Sequence, residues 1–294
     1  MILDDAGWRA LTADAALASH RLIGWIYWDP TAVANYAALG VPDGAGYYFA
    51  TRAASIAQAG DDVVTATFGS IHPAFISACL DLCRQHTTFE AAALARDAAV
   101  EPGLRALAPD LCDGLTELGP HLWAAADELV LTGRPLFASL LRRRREDQPL
   151  LSAWLAVNCI REWRGDTHWA IHAVEGIDGT MAGLLDGAWR GHDDDWLPRS
   201  RGADDALLDA ALAELEARGL ATDGRVNATG VAHRQQLEDR LDDLCTPGWQ
   251  ALGEPLTRRL VELIEPYGST FVERIDQTAG PRWMPAARDR TVRA

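Results

Sequence analysis

The chain has 294 residues, 48% hydrophobic and 23% charged, with a formal net charge of −15 at pH 7. That balance is ordinary for a globular protein and leaves room for one large core or two smaller ones. All 27 basic residues are arginine. This excludes a pyridoxal-phosphate enzyme or a Schiff-base aldolase, which needs a lysine amine, and a P-loop, which needs its lysine on the phosphates.

The first residues, Met1-Ile2-Leu3-Asp4-Asp5, carry acid where a secretory leader carries base. No run of about 20 apolar residues is long enough to span a bilayer. The expected location is therefore the cytoplasm, with no membrane partner. Proline and glycine then punctuate a series of helical patterns. A first helix covers Ala10 to about Tyr27 and stops at Asp29-Pro30. A short helix follows from Thr31 to Leu39, and another from Gly44 to Ala59. Asp61 to Phe68 is β-rich by propensity but short. Pro73 to about Gln85 reads as a clear helix, Glu90 to Arg96 and Leu104 to Ala126 as weaker ones. Leu136 to Arg145 ends in four arginines, which suit the negative end of a helix macrodipole and read as a solvated helix terminus. Leu150 to Arg164 is the most apolar helix, followed by shorter helices over His168 to Glu175 and Gly179 to Ala188, and then a loop to Gly202.

From Asp204 the pattern tightens. Leu207, Leu208, Ala211, Leu212 and Leu215 form one apolar stripe on a helix ending near Arg218. Leu220-Ala221-Thr222 pairs with Arg225-Val226-Asn227 across an Asp223-Gly224 turn. Another helix runs from Val231 to Cys245. Helix, wing and helix in that order form the back half of a winged helix, and the short helices between 168 and 188 supply its front. The expected fold is mostly α: a helical domain over 1–149, a winged-helix domain with a short β-wing over 150–275, and a tail over 276–294.

A winged helix reads DNA by laying its recognition helix in the major groove. Here that helix carries Asp204, Asp205, Asp209, Glu214 and Glu216 against Arg218. Residues 199–265 hold eight Arg and thirteen Asp plus Glu. Phosphate neutralisation supplies most non-specific affinity, so this face argues against DNA.

The five cysteines, Cys79, Cys83, Cys112, Cys159 and Cys245, are scattered and read as reduced buried thiols. The densest chemistry lies between Ile160 and His168, where Arg161, Glu162, Arg164, Asp166 and His168 fall within nine residues. Arg161, Gly165 and His168 share one helix face, and Glu162 and Asp166 another. Such a cluster is either a structural ion-pair network or a functional site. His168 and His172 stand at i and i+4, as metal ligands can, but no third ligand follows at a recognisable spacing, and two ordinary histidines fit as well. No metal is assigned. A haem is compatible with the histidines and the eleven tryptophans, yet no spacing requires it, so the cofactor is unknown. His20 precedes an aromatic region (Trp25, Tyr27, Trp28, Tyr36, Tyr47, Tyr48 and Phe49) that reads as core or as a pocket wall. Arg52, one turn beyond Tyr48, can hold an anion by a bidentate fork. No Gly-x-Gly-x-x-Gly, Gly-x-Ser-x-Gly or His-Glu-x-x-His motif is present.

Ile160 to His168 resembles a Leu-Arg-Glu-His-Arg-Gly-Asp-Gly-His motif of an actinobacterial helix-turn-helix or winged-helix family. The family also has a histidine before an aromatic block, as His20 to Trp28 here, and an aromatic-Phe-x-x-Arg-Ala-Ala segment, as Tyr48 to Ala54. The resemblance spans most of residues 10 to 265. It implies that His20, Arg52, Arg161, Glu162, Arg164, Asp166 and His168 recur together. Trp163 stands where the motif has histidine, and Thr167 where it has its second glycine; Trp163 can reshape a pocket. The resemblance implies a fold and no particular reaction.

Three functions are compatible with these residues. The first is a small-molecule-binding protein, or an enzyme of specialised metabolism, on a repurposed winged helix. In it His20 or His168 acts as acid or base, Glu162 or Asp166 orients the imidazole, and Arg52 and Arg164 hold an anionic substrate, with Arg161, Trp25, Tyr48 and Trp163 also binding the ligand. The second is a ligand-responsive regulator. The third is an interaction protein in which the winged helix makes a homodimer.

Overall fold

Caps and prolines set most helix starts. In the computed structural model, which describes residues 3–192 and 194–289, α1 (Asp5–Gly24) begins where the Asp4 carboxylate accepts the Gly7 N–H at 2.8 Å. Asp29 caps α2 (Pro30–Ala37) in the same way, with proline at the first helical position. There follow α3 (Tyr47–Arg52), α4 (Asp61–Thr67), α5 (Pro73–His86), α6 (Phe89–Leu107), α7 (Leu111–Asp127), α8 (Pro135–Leu140), α9 (Pro149–Val174), α10 (Gly179–Trp189), α11 (Trp196–Arg199) and α12 (Asp205–Ala217). Strands β1 (Ala221–Thr222) and β2 (Arg225–Val226) form one antiparallel hairpin, and α13 (Ala228–Leu252), α14 (Glu254–Ile264) and α15 (Gly268–Ala279) complete the path.

Helix α9 is the axis of the fold. It is buried on every side from Leu150 to Arg164, as expected of a helix without a consistent polar face. It packs against α7, α8, α13 and α1. Helix α1 also lies on α13, α14 and α15, so the first helix covers the last third of the chain.

The wing has the predicted form. Ala221 pairs with Val226 and Thr222 with Arg225, and Asp223 and Gly224 both take positive φ, 50° and 72°, as a two-residue hairpin turn requires. Helices α10, α11 and α12 pack together in front of it.

Several local readings are corrected. The β-rich segment 61–68 is α4: two aspartates favour its N-terminus and Val64 and Thr67 fall on one buried face. The supposed separate helix at 168–175 is the end of α9, which runs through Gly165 without a break. A Cβ at Gly165 would lie 3.0 Å from a Glu162 carboxylate oxygen, so the glycine leaves room for an ion pair. The helix expected over 44–59 is broken, because Gly46 turns with φ 76° before α3 and only 3-10 turns flank it. The four-arginine run is not simply solvated. Arg143 is buried against Asp97 and Glu90, while Arg144 reaches Asp127. All five cysteines are buried free thiols. No helix among the described residues is long and apolar enough to cross a membrane.

Candidate functional site

Residues 161, 164, 165, 168 and 172 of α9 recur at helical spacing, and together they form one wall of a cavity of about 890 Å³. The opposite wall is aromatic: Tyr27 and Trp28 after α1, Tyr48 and Phe49 on α3, and Phe68 beyond α4. Helix α10 contributes Ala182 and Asp186, helix α13 Arg234 and Glu238, and the segment after α15 contributes Trp283 to Ala286. Trp283 packs on Trp28 and Trp196, with ring centroids 4.9 and 5.3 Å away.

Glu162 lies behind the α9 wall and is 1% exposed. Arg52 grips it with two hydrogen bonds of 2.8 Å, and Arg161 Nη1 donates at 2.5 Å. Burial opposes its ionisation, but the two guanidiniums overcome that cost and hold its carboxyl at about 2. Arg52 also donates to the Tyr48 hydroxyl and lies over the Phe68 ring, 4.8 Å from its centroid.

Deeper along α9 a second network joins three helices. Arg164 Nη2 pairs with Glu238 at 2.8 Å and with Asp242 at 2.7 Å. Glu238 also receives Arg234 at 2.7 Å, and Asp186 receives Arg234 and Arg190 at 3.0 and 2.9 Å. Burial works against ionised Glu238, yet Arg234 and Arg164 hold it at about 2.

The histidines are driven neutral. Burial is the leading influence at His20, reinforced by Arg161 and Arg164, and its imidazole falls well below the usual range. Burial and the neighbouring His172 do the same to His168. His20 Nδ1 accepts from Arg161 Nε at 3.0 Å, so the network assigns its proton to Nε2. His172 Nδ1 lies 2.8 Å from the His168 carbonyl and must donate to it. Its Nε2 then carries the lone pair, on a side chain 2% exposed at the cavity wall.

The structure thus brings His20, Tyr48, Arg52, Arg161, Arg164 and His168 to one cavity, with Glu162 directly behind them. It places three other candidates elsewhere. Asp166 faces α8, where its carboxylate accepts the Phe137 N–H at 2.9 Å; burial raises its carboxyl to about 7 despite that bond. Trp163 donates to the Val130 carbonyl at 3.1 Å and stacks under Arg134. Trp25 is fully buried against Phe271. None of the three lines the cavity. Glu162 connects to His20 through Arg161 rather than by a direct hydrogen bond. Arg52 and Arg164 are both already held by carboxylates.

His168 and His172 rings are 4.1 Å apart, but Glu175 turns away to Arg240. Among the described residues no group of three His, Cys, Asp or Glu side chains is placed to hold a metal. Sequence reasoning did not reach Asp186, Arg190, Arg201, Arg234 or Glu238. The i,i+4 spacings Asp186–Arg190 and Arg234–Glu238 signal ion pairs, though not that the two would meet; Arg201 carries no such signal.

No curated protein and no solved structure matches this chain. Residues 12–278 match a helix-turn-helix family, and the chain belongs to that family.

Proposed function

We propose that this protein binds an organic small molecule in the cavity, and that its winged helix is a wall of that cavity rather than a reader of DNA. The observation that carries this reading is the lining itself. Six arginines and three histidines face an aromatic wall in a space of about 890 Å³, within the range that takes drug-sized ligands. Cavities of that size in a well-packed interior are few. Where the ligand is turned over, His20 and His168 are the groups at hand to move a proton, and Glu162 acts on them only through the arginines it fixes.

Native and denaturing mass spectra of the purified protein test the reading, together with a thermal-shift screen of neutral, anionic and cationic aromatic compounds. A non-covalent mass lost on denaturation, or stabilisation by any compound class, supports it. A bare chain that no compound stabilises would sink it.

Family membership favours a second reading, a ligand-responsive regulator that uses α12 and the hairpin on DNA. The outward face of α12 weighs against it: Asp205, Asp209, Glu214 and Glu216 are all exposed there.

A further inference from the structure

Among the six arginines of the cavity, five are engaged by carboxylates and one is not. Arg201 lines the space, yet its side chain makes no hydrogen bond or ion pair with any described residue. Its backbone is fixed. The Arg201 carbonyl accepts the His72 N–H at 2.8 Å, and its N–H donates to the Pro198 carbonyl at 3.0 Å. The next residue, Gly202, has φ 96°, and a Cβ there would come within 2.7 Å of His72 Cβ. The chain therefore delivers this side chain from a rigid turn. A part-buried guanidinium that no carboxylate contacts directly is less well satisfied than its five paired neighbours. Burial is the leading influence that pushes Arg201 below the usual arginine range; Asp186 attracts it across the cavity without a hydrogen bond, and Arg190 and Arg52 repel it. Two residues of the aromatic wall also carry donors without protein partners, buried beneath its surface: the Tyr27 hydroxyl, on a residue 1% exposed, and Trp28 Nε1. Buried polar groups left unpaired in this way point to a missing partner.

Building on the small-molecule reading above, we propose that Arg201 is the anion anchor of the cavity and that the ligand is an aromatic organic anion. Its carboxylate or phosphate takes the fork of Arg201, and its ring lies against the wall of Tyr27, Trp28 and Tyr48. The planar guanidinium suits either oxyanion by two parallel hydrogen bonds.

The test is calorimetric titration of the full chain with 1-naphthoate, 1-naphthyl phosphate and the uncharged 1-naphthalenemethanol at fixed ionic strength. Wild type should bind at least one anion about tenfold or more tightly than the alcohol, and the tighter of the two tells carboxylate from phosphate. Arg201→Met should weaken that anion by about 10- to 100-fold, the loss of a charged hydrogen-bonded contact, and leave the alcohol unchanged. Equal affinity of the alcohol, or full anion binding by Arg201→Met, overturns the proposal. So does loss of the fold in both Arg201→Met and Arg201→Gln, which would make the side chain structural. If wild type binds none of the three compounds the anion assignment also falls. A neutral or cationic mass retained in the native spectrum would then leave the small-molecule reading standing, and a bare chain would remove both.

Discussion

At the scale of single residues, two carboxylates four positions apart on α9 have opposite electrostatic fates. Glu162 is ionised because two arginines require it; Asp166 is strained as an anion because burial outweighs the backbone N–H groups of Phe137 and Leu136. Removing the first leaves two guanidiniums uncompensated. Glu162→Gln should cost about 3–5 kcal/mol in urea unfolding, and an Arg52→Met background should recover part of it. Because the folded value is depressed from 4.5 to about 2, its stabilisation is complete above pH 4.5 and is lost as pH falls toward 2. For Asp166 the sign reverses. Its folded value is raised from 3.8 to about 7, so its contribution is fully favourable below 3.8 and is lost as pH rises through 7. Asp166→Asn keeps an oxygen for the Phe137 N–H. It should therefore unfold at higher urea than wild type at pH 8, with the gap closing toward pH 4; equal curves at pH 8 would refute the raised value. The sequence exposes this cluster because its members are local. Arg201, Asp186 and Glu238 were illegible as site residues, since their meeting with α9 depends on packing between segments 20 to 70 positions apart, and no spacing rule reports that.

Among the elements, legibility followed local chemistry. The apolar stripe of α12 and the Asp-Gly turn each carry a short-range signal, and the structure reproduces them; α13 starts three residues before the expected Val231, capped by Asn227. Where tertiary contacts decide, the signal failed: α4 is helical despite its β-branched residues, and α9 continues through a glycine that an ion pair needs. Glycine also fixes how α10 meets the cavity rim. A Cβ at Gly179 would stand 2.0 Å from the Gly69 carbonyl oxygen and 2.7 Å from Ser70 Cα, both backbone atoms that cannot swing aside. Gly179→Ala should thus cost about 3 kcal/mol or more in unfolding free energy and displace the wall that bears Asp186. Gly219 gives the contrast. It has φ 73° and open space around its missing Cβ, so Gly219→Ala should cost only about 1–2 kcal/mol of backbone strain. Similar losses at the two positions would show that α10 is not seated as tightly as this geometry requires.

For the molecule as a whole, charge bears on the choice between the two readings proposed above. Membership of a helix-turn-helix family keeps DNA among the candidate partners, but affinity for DNA rests first on neutralising phosphates. This chain is at −15 overall, and its arginines are largely turned inward to the two networks around α9 or paired with surface carboxylates. Arg199 and Arg218, which flank α12, are themselves bound to Asp205 and Glu214. A duplex approaching α12 therefore meets exposed Asp209 and Glu216, with Arg225 the exposed cation on the adjoining hairpin. Mobility-shift titration with random duplex at about 50 mM salt, where non-specific electrostatic binding is strongest, should give no complex. Replacing Asp205, Asp209 and Glu216 together by lysine should create weak binding that falls steeply with salt, because only the sign of the charge then stands between the geometry and the groove. Binding by the unaltered protein, with a steep negative salt slope, would instead establish the regulator reading. The cavity would then be its effector site.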